Sequence, residues 1–233
     1  MENLSRRRSL IVPVSGIGLM AVLLIGAVAT QDHWRTRRAQ HAALESVTTE
    51  LSHVSDALKA AIDSTSNQIR LAQHVMGWMA QEEDGGSAEL VAALTGLKKR
   101  ADGPIALTAM AALGADGKLG AVGDAATRRR LIALDRRLAA AALIGEPAFE
   151  HYRVRLEEAL TPGMWRFIFY DESGKYPVDF KGTLRELTHS NFDRTLRSLL
   201  RGLTERRVEL EALAAETSSL RRALEQTANS TQP

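Results

Sequence analysis

The side chains best suited to binding chemistry lie close together near residue 170. Arg166, Tyr170, Lys175 and Tyr176 fall within one stretch, MWRFIFYDESGKYPVDF, at residues 164–180. Aromatic walls beside a guanidinium or an ammonium group can bind an anionic small molecule. Aromatic side chains in strands also pack against one another across a sheet, so a structural role stays open. We predict that these four residues contact a small ligand.

No arrangement typical of catalysis or metal binding occurs elsewhere in the sequence. There is no nucleophile elbow, no phosphate-binding glycine loop and no zinc-protease motif. The six histidines never stand four residues apart, and the chain has no cysteine, which excludes thiolate ligands and disulfides. Asp171 and Glu172 are adjacent and therefore do not form a facing acid pair. We predict no enzymatic activity, no catalytic residue, no metal and no cofactor.

Two strand-turn-strand units are predicted around this binding cluster. Residues 105–113 alternate apolar side chains with period two, and the hairpin signal Asp116-Gly117 separates them from a second apolar run at 119–122. The second unit spans 164–180 and turns at residues 171–174. A helical stretch from 125 to 160, broken near Gly145, lies between the two units. Together these patterns predict a small antiparallel sheet.

A long helix is predicted before the sheet, from about residue 34 to residue 81. Its apolar positions advance by steps of three and four as far as Leu58. They then shift phase at Ile62, and the shifted pattern continues to Met79. Such a shift indicates a local change in supercoiling. This helix is expected to need a packing partner.

A second long helix is predicted to begin near Asn191, where Ser190 and Asp193 could form a capping box. Its leucines occupy alternating a and d positions of a heptad pattern, which Arg206 and Thr217 interrupt. The stripe fits either pairing with the first helix within one chain or a parallel coiled-coil dimer. The candidate oligomer or partner interface is Leu196, Leu199, Leu203, Arg206, Leu210, Leu213, Leu220 and Leu224.

An apolar run near the amino terminus has three arginines on each side. Residues 10–30 carry no charge over 21 positions, and at about 1.5 Å per residue a helix of this length spans the roughly 30 Å hydrocarbon core of a bilayer. A retained membrane anchor is the main prediction, and a signal peptide cleaved after Ala29 is the alternative. An inverted topology would carry three arginines and the amino terminus across the membrane. We therefore predict a single-pass bacterial inner-membrane protein with a periplasmic C-terminal domain.

Charge and composition limit the classes of partner. The formal net charge is only +2, and acidic and basic residues alternate through the second half of the chain. Nucleic-acid binding proteins concentrate positive charge on one face, so we predict no nucleic-acid partner. Aromatic residues make up 5% of the chain, which indicates a core built mainly from alanine and leucine and favours helices. The predicted partners are the membrane, another envelope protein or a second copy through the coil, and a small molecule.

The order of these elements resembles a known family. A membrane helix, a long stalk helix, a short helix at 88–100 and a strand ending LGADGKLGA are similar to the extracytoplasmic Cache or PAS-like sensor domains of bacterial chemoreceptors, histidine kinases and diguanylate cyclases. The resemblance extends over roughly residues 30–180. It implies a small antiparallel sheet that binds a small molecule and a stalk that transmits the signal.

The predicted fold class is α+β and helix-dominated, with one N-terminal transmembrane helix, a stalk helix, a small antiparallel sheet and a C-terminal coiled-coil helix. The segments are a cytoplasmic tail at 1–9, the anchor at 10–30, the stalk at 31–84, the sensor-like domain at 85–189, the coiled coil at 190–227 and a disordered tail at 228–233. The predicted function is a periplasmic sensory or partner-binding module without its own output domain. A structural assembly subunit of a secretion or pilus-type envelope complex is the alternative.

Overall fold

Every regular element in the described part of the chain is a helix. The computed structural model describes residues 5–80, 86–98, 105–117, 119–160 and 180–230, with the backbone alone for residues 5–30, 32, 33 and 230. The elements are α1 (Ser5–Met79), α2 (Ser87–Lys98), α3 (Thr108–Ala115), a 3-10 turn (Leu119–Ala121), α4 (Ala125–Ala141), α5 (Glu146–Ala159), α6 (Phe180–His189) and α7 (Phe192–Ser230).

The predicted α+β fold class is wrong, because the described residues contain no strand. The first predicted hairpin is instead α3 followed by the 3-10 turn. Alanine has the highest helix propensity and its methyl group fits either face of any element, so alternation in this alanine-rich segment carried little information. Within residues 105–113, Leu107 and Met110 are the buried residues, and their spacing of three is helical. Gly117, at a φ of 68°, follows the last turn of α3 and does not close a hairpin.

The second predicted hairpin, with its proposed ligand contacts, lies largely at residues 161–179 and therefore outside the described residues. Its last residue, Phe180, begins α6. This helix was not predicted, although the i,i+4 pairs Phe180–Leu184 and Thr183–Leu187 follow a helical pattern. The predicted break near Gly145 is confirmed, since α4 ends at Ala141 and α5 begins at Glu146.

Antiparallel packing of α1 against α7 organises the bundle. Buried residues at 43–61 of α1 share a core with those at 210–224 of α7, and buried residues at 69–78 of α1 share a core with those at 192–203 of α7. The apolar stripe of α7 is almost completely buried by this pairing. A fully buried leucine contributes roughly 1.5–3 kcal/mol relative to an exposed one, so the stripe is a major source of stability. We call this α1–α7 contact the seam.

The apolar interior is divided into two clusters along the seam. The first core joins α1, α3, the 3-10 turn, α4 and the second half of α7, and it includes Leu51, Leu131 and Leu213. On the rim of this core, the Arg137 guanidinium of α4 donates to Glu209 Oε1 at 2.8 Å and to Glu216 on α7. The second core joins the end of α1 to α2, α5, α6 and the start of α7.

A polar layer separates the two cores at the middle of the seam. Thr65 and Gln68 of α1 are buried there, and Arg206 of α7 is half-buried. This is the point at which the sequence predicted a phase shift in α1. The predicted shift does not occur, because the buried positions continue in steps of three and four through Leu58, Ala61, Thr65, Gln68, Ala72 and Val75, while Ile62, Met76 and Met79 are only partly buried. We call the polar layer of Thr65, Gln68 and Arg206 the waist.

The start of α7 differs from the predicted capping box. The Ser190 hydroxyl donates to the Leu187 carbonyl of α6 at 2.8 Å, so it completes the preceding helix and does not accept from the first turn of α7. Asn191 adopts a left-handed φ of 53° between the two helices. Asparagine tolerates this conformation better than most residues, which explains the tight connection from α6 to α7.

Side chains are described for residues 31 and 34–79 of α1 and for the helices that follow it. In that part of the chain, no helix combines the length and apolarity that crossing a bilayer requires. The predicted anchor at residues 10–30 lies outside those described side chains, and its backbone belongs to α1.

Candidate functional site

The residues predicted to bind a ligand cannot be placed. Arg166, Tyr170, Lys175 and Tyr176 lie outside the described residues, so their contacts remain a prediction. The chain re-enters the described part at Phe180, whose ring lies 5.9 Å from that of Trp78 in a T-shaped contact. The segment that carries the predicted cluster therefore ends beside the second core.

The residues predicted as a partner interface lie in the seam of the single chain. Leu196, Leu213, Leu220 and Leu224 have no exposed surface, and the remaining leucines of the stripe are at most 5% exposed. Arg206, the polar member of the set, is half-buried at the waist. This placement corresponds to the intrachain alternative, since α1 already covers the stripe.

An open groove runs along α1 beside the segment that leads into α3. Its volume is about 690 Å³. One wall is α1, with Glu50 and His53 near its polar end and Val54, Ala57 and Ala60 along its apolar part. The opposite wall consists of Ile105, Ala106, Thr108 and Ala109. We call this feature the α1–α3 groove.

Two carboxylates hold the α3 wall of the groove in place. Glu50 Oε1 accepts from the Thr108 hydroxyl at 2.6 Å and from the Ala109 backbone N–H at 2.8 Å. Asp135 Oδ1 accepts from the Leu107 N–H at 3.1 Å. The first N–H groups of a helix lack intrahelical partners, so these acids from α1 and α4 cap α3 in place of a local capping side chain. A negative group there also matches the positive end of the helix dipole.

The polar groups of the groove suit binding better than catalysis. Glu50 Oε1 already accepts two hydrogen bonds from α3, and His53 is exposed on the next turn of α1. Within the described ranges, no group of three His, Asp or Glu side chains is arranged to hold a metal ion. The groove therefore offers an imidazole and two hydroxyl residues, Ser46 and Thr49, above an apolar floor, while Glu50 is occupied by α3 and its Oε2 is buried.

Sequence reasoning missed this groove entirely. Glu50 and His53 belong to a long helix on which acids and histidines are usually solvated, and their spacing of three marks only a shared face. The opposite wall is supplied by residues more than 50 positions further along the chain. No local signal connects the two, and the segment itself was predicted as a strand.

The clear pKa shifts mark structural contacts away from the groove. Tyr152 is fully buried in the second core, where burial raises its pKa and its hydroxyl lies 3.3 Å from the Leu94 carbonyl as donor. On the surface of α5, the hydrogen bond from Arg153 lowers the pKa of Glu150 and the same contact raises the pKa of Arg153. Neither arrangement resembles an acid or base held ready for catalysis.

Asp124 caps α4 and makes a pH-dependent contribution that can be tested. Its Oδ1 accepts from the Thr127 N–H at 2.7 Å, and that backbone bond is the main reason why the pKa of Asp124 lies below its ordinary 3.8. The contribution is fully present above 3.8 and disappears as the pH falls through the lower folded pKa. We expect Asp124→Ala to lower the thermal midpoint at neutral pH, and the deficit to shrink in acid.

Thermal melts followed by circular dichroism at about pH 7 and about pH 3 measure this difference. Asp124→Asn is the matched control, because an asparagine oxygen can still accept the capping bond. An equal deficit for Asp124→Ala at both pH values would show that the ionised carboxylate adds nothing beyond the cap itself.

Comparison with known proteins gives no assignment. Neither a protein-family model, nor a curated protein, nor a solved structure matches this chain.

Proposed function

We propose that this protein is a membrane-anchored, non-catalytic binding module whose bundle docks an extended segment of another envelope protein in the α1–α3 groove. The groove is the observation that carries the proposal. It is open, long enough for several residues, and built on the helix that continues from the predicted anchor into the bundle. The proposed location is the bacterial inner membrane, with a single span and a periplasmic bundle.

The chemistry of the groove favours a particular kind of partner segment. Ala57, Ala60 and Ala109 have small side chains, so another backbone can approach α1 closely. Val54 and Ile105 provide apolar contact for larger side chains of the partner. His53, Ser46 and Thr49 at the polar end favour a segment with hydrogen-bonding side chains beside its apolar positions. An unstructured strand or a short amphipathic helix would fit these requirements.

Binding would act on the orientation of α3 relative to α1. A segment in the groove touches both walls, so it favours conformations in which the Glu50 contacts to α3 are closed. A ligand shifts an equilibrium only by its differential affinity for the two states, and these cross-wall contacts provide that difference. The wall on α1 is continuous with the predicted span, which connects the groove to the membrane without an intervening joint.

A small-molecule sensor is the second candidate, and the size of the same groove favours it. Small-molecule sites typically enclose about 300–1,000 Å³, and the groove measures about 690 Å³. The openness of the groove favours a polypeptide, since a small ligand would keep much of its surface in water. In contrast, the cavity at the waist measures about 20 Å³, which is about enough for one water molecule.

Site-specific photo-crosslinking tests the proposal in intact cells. A photoreactive residue at Ala57 or Ala60 is expected to give a discrete adduct with one envelope protein. The same residue at Ala139, exposed on α4, is the control and should give none. Ile105→Asp is expected to abolish the adduct at Ala60, because it places a charge on the apolar wall.

Two results would contradict docking in the groove. The first is that positions 57, 60 and 139 give adducts of equal yield. The second is that the groove positions give no adduct in cells where the chain is membrane-bound. A small molecule that raises the thermal midpoint of the wild type, and not that of Ile105→Asp, would favour the sensor instead.

A further inference from the structure

The part of α1 between the predicted span and the bundle presents an exposed tryptophan among arginines. Trp34 is 65% exposed, more than almost any other large hydrophobic residue of the described chain. Arg35, Arg37 and Arg38 are exposed as well. Burial begins only at Ala43 and Leu44, where α1 enters the first core. No other part of the described bundle therefore covers Trp34.

These four side chains share one side of the helix. At about 100° per residue, Trp34, Arg35, Arg37 and Arg38 fall within roughly 160° of the helix circumference, with Trp34 inside the arc. On the same scale Leu44 and Val47, which begin the apolar stripe that enters the bundle, lie roughly 80° and 140° from Trp34, on the side of Arg37. Arg37 stands seven residues before Leu44 and continues the line of the stripe, whereas Trp34, Arg35 and Arg38 lie further round the helix, away from it. The bundle covers none of the four side chains, because burial begins only at Ala43.

The position along the helix matches the headgroup layer of a bilayer. Trp34 to Arg38 follow the apolar run by four to eight residues, which corresponds to about 6–12 Å of helix. Tryptophan is enriched at this depth because its ring is apolar and its indole N–H needs a polar partner. Arginine side chains at the same depth can donate paired hydrogen bonds to a phosphate group.

We propose that Trp34, Arg35, Arg37 and Arg38 form a binding surface for anionic phospholipid headgroups on the periplasmic side of the membrane. This inference rests on the anchoring that the proposed function assumes. The guanidinium groups bind lipid phosphates, and the Trp34 ring inserts at the level of the glycerol backbone. The surface fixes the rotation and tilt of α1 and thereby determines which side of the bundle, and of the groove, faces the membrane.

A lipid surface fits these residues better than a protein does. A protein hot spot normally places an aromatic anchor among other apolar contacts that exclude water. Around Trp34 the exposed neighbours are arginines, Gln31, Thr36 and Gln40, and the only nearby apolar side chains that the structure describes are Ala39 and Ala42. Charge complementarity with an anionic bilayer requires no such apolar ring.

Lipid selectivity can be measured with Trp34 as the reporter. The full-length chain carrying Trp165→Phe is reconstituted into phosphatidylcholine bilayers that contain either brominated phosphatidylglycerol or brominated phosphatidylcholine. Trp78 is buried and stands about 65 Å further along α1, so bromine should quench only Trp34. The concentration dependence of quenching gives the relative association constant of the anionic lipid over the neutral one.

We expect the anionic lipid to be preferred by about fivefold or more at low salt. A single basic residue near an anionic surface contributes a factor of about five, and three arginines are present here. The preference should approach one in the triple variant Arg35→Gln, Arg37→Gln, Arg38→Gln, and also at about 1 M salt. The triple variant Arg194→Gln, Arg197→Gln, Arg201→Gln is the control. It removes the same charge from exposed positions at the far end of the bundle and should keep the preference.

Equal quenching by the two lipids would overturn the proposal, as would an equal loss of preference in the two triple variants. The proposal would also be overturned if neither lipid quenched Trp34 and a co-purified protein covered it. Alkaline extraction of membranes separates this failure from failure of the anchoring. A wild-type chain that alkali extracts contradicts the anchor, whereas a retained chain without lipid preference contradicts the headgroup surface alone.

Discussion

Replacing Leu213 with alanine is expected to lower the free energy of unfolding by about 3 kcal/mol, since large-to-small changes in a packed core cost the lost transfer energy and leave a cavity. Leu213 has no exposed surface and belongs to the first core, which α1, α4 and α7 share. Urea unfolding of the full-length chain in mild detergent, followed by circular dichroism at several protein concentrations, measures the change and its dependence on association.

The control lies on the same helix. Val208 is 58% exposed, and Val208→Ala should change the free energy of unfolding by no more than about 0.5 kcal/mol. Because the seam forms within one chain, the wild-type midpoint should not depend on protein concentration. A midpoint that rises with concentration would instead indicate that the leucine stripe of α7 pairs between two chains.

The leucine stripe of α7 was predictable from sequence, but its partner was not. Regular a and d spacing requires an apolar counterpart, and any complementary stripe satisfies that requirement. In the structure α1 supplies that counterpart within the same chain and runs antiparallel to α7, since residues 43–61 share a core with 210–224 and residues 69–78 share one with 192–203. The interruption was visible in sequence only in part, since the polar Arg206 lies in the waist that divides the two cores. The predicted phase shift near Ile62 was wrong, because the buried positions of α1 keep one heptad pattern from Leu51 to Val75.

The error at residues 105–122 has a specific cause. A period of two is informative when large apolar and polar residues alternate, and this segment has alanine on both faces, at positions 106, 109, 111 and 112, while its large residues Leu107, Met110 and Leu113 are spaced by three. Its helical state depends on Glu50 and Asp135, which cap α3 from α1 and α4. Such long-range capping leaves no trace in the local sequence. The α1–α3 groove depends on the same contacts and was invisible for the same reason.

The waist determines whether the two cores behave as one bundle. Both cores extend along α1 and α7, and the turn between α4 and α5 crosses α7 between them. If the α4–α5 turn moves away from α7, each core keeps its own apolar contacts but is no longer coupled to the other core. The proposed binding of a partner in the groove, which lies beside the first core, would therefore affect the second core only while the waist remains closed.

Gly202→Leu is expected to destabilise the bundle by about 3 kcal/mol, because it overpacks the waist. A Cβ at Gly202 would lie 3.1 Å from the Gly145 Cα and 3.3 Å from the Ala148 Cβ, so a larger side chain must push the α4–α5 turn off α7. Gly145 is held at a left-handed φ of 81° and cannot move away freely.

Gly114→Leu is the matched control, since a Cβ there meets no atom within 4 Å on exposed α3. Because leucine favours a helix more than glycine does, the control should be neutral or slightly stabilising in the same urea experiment. Equal losses in the two variants would mean that close approach at Gly202 is not what holds the two cores together.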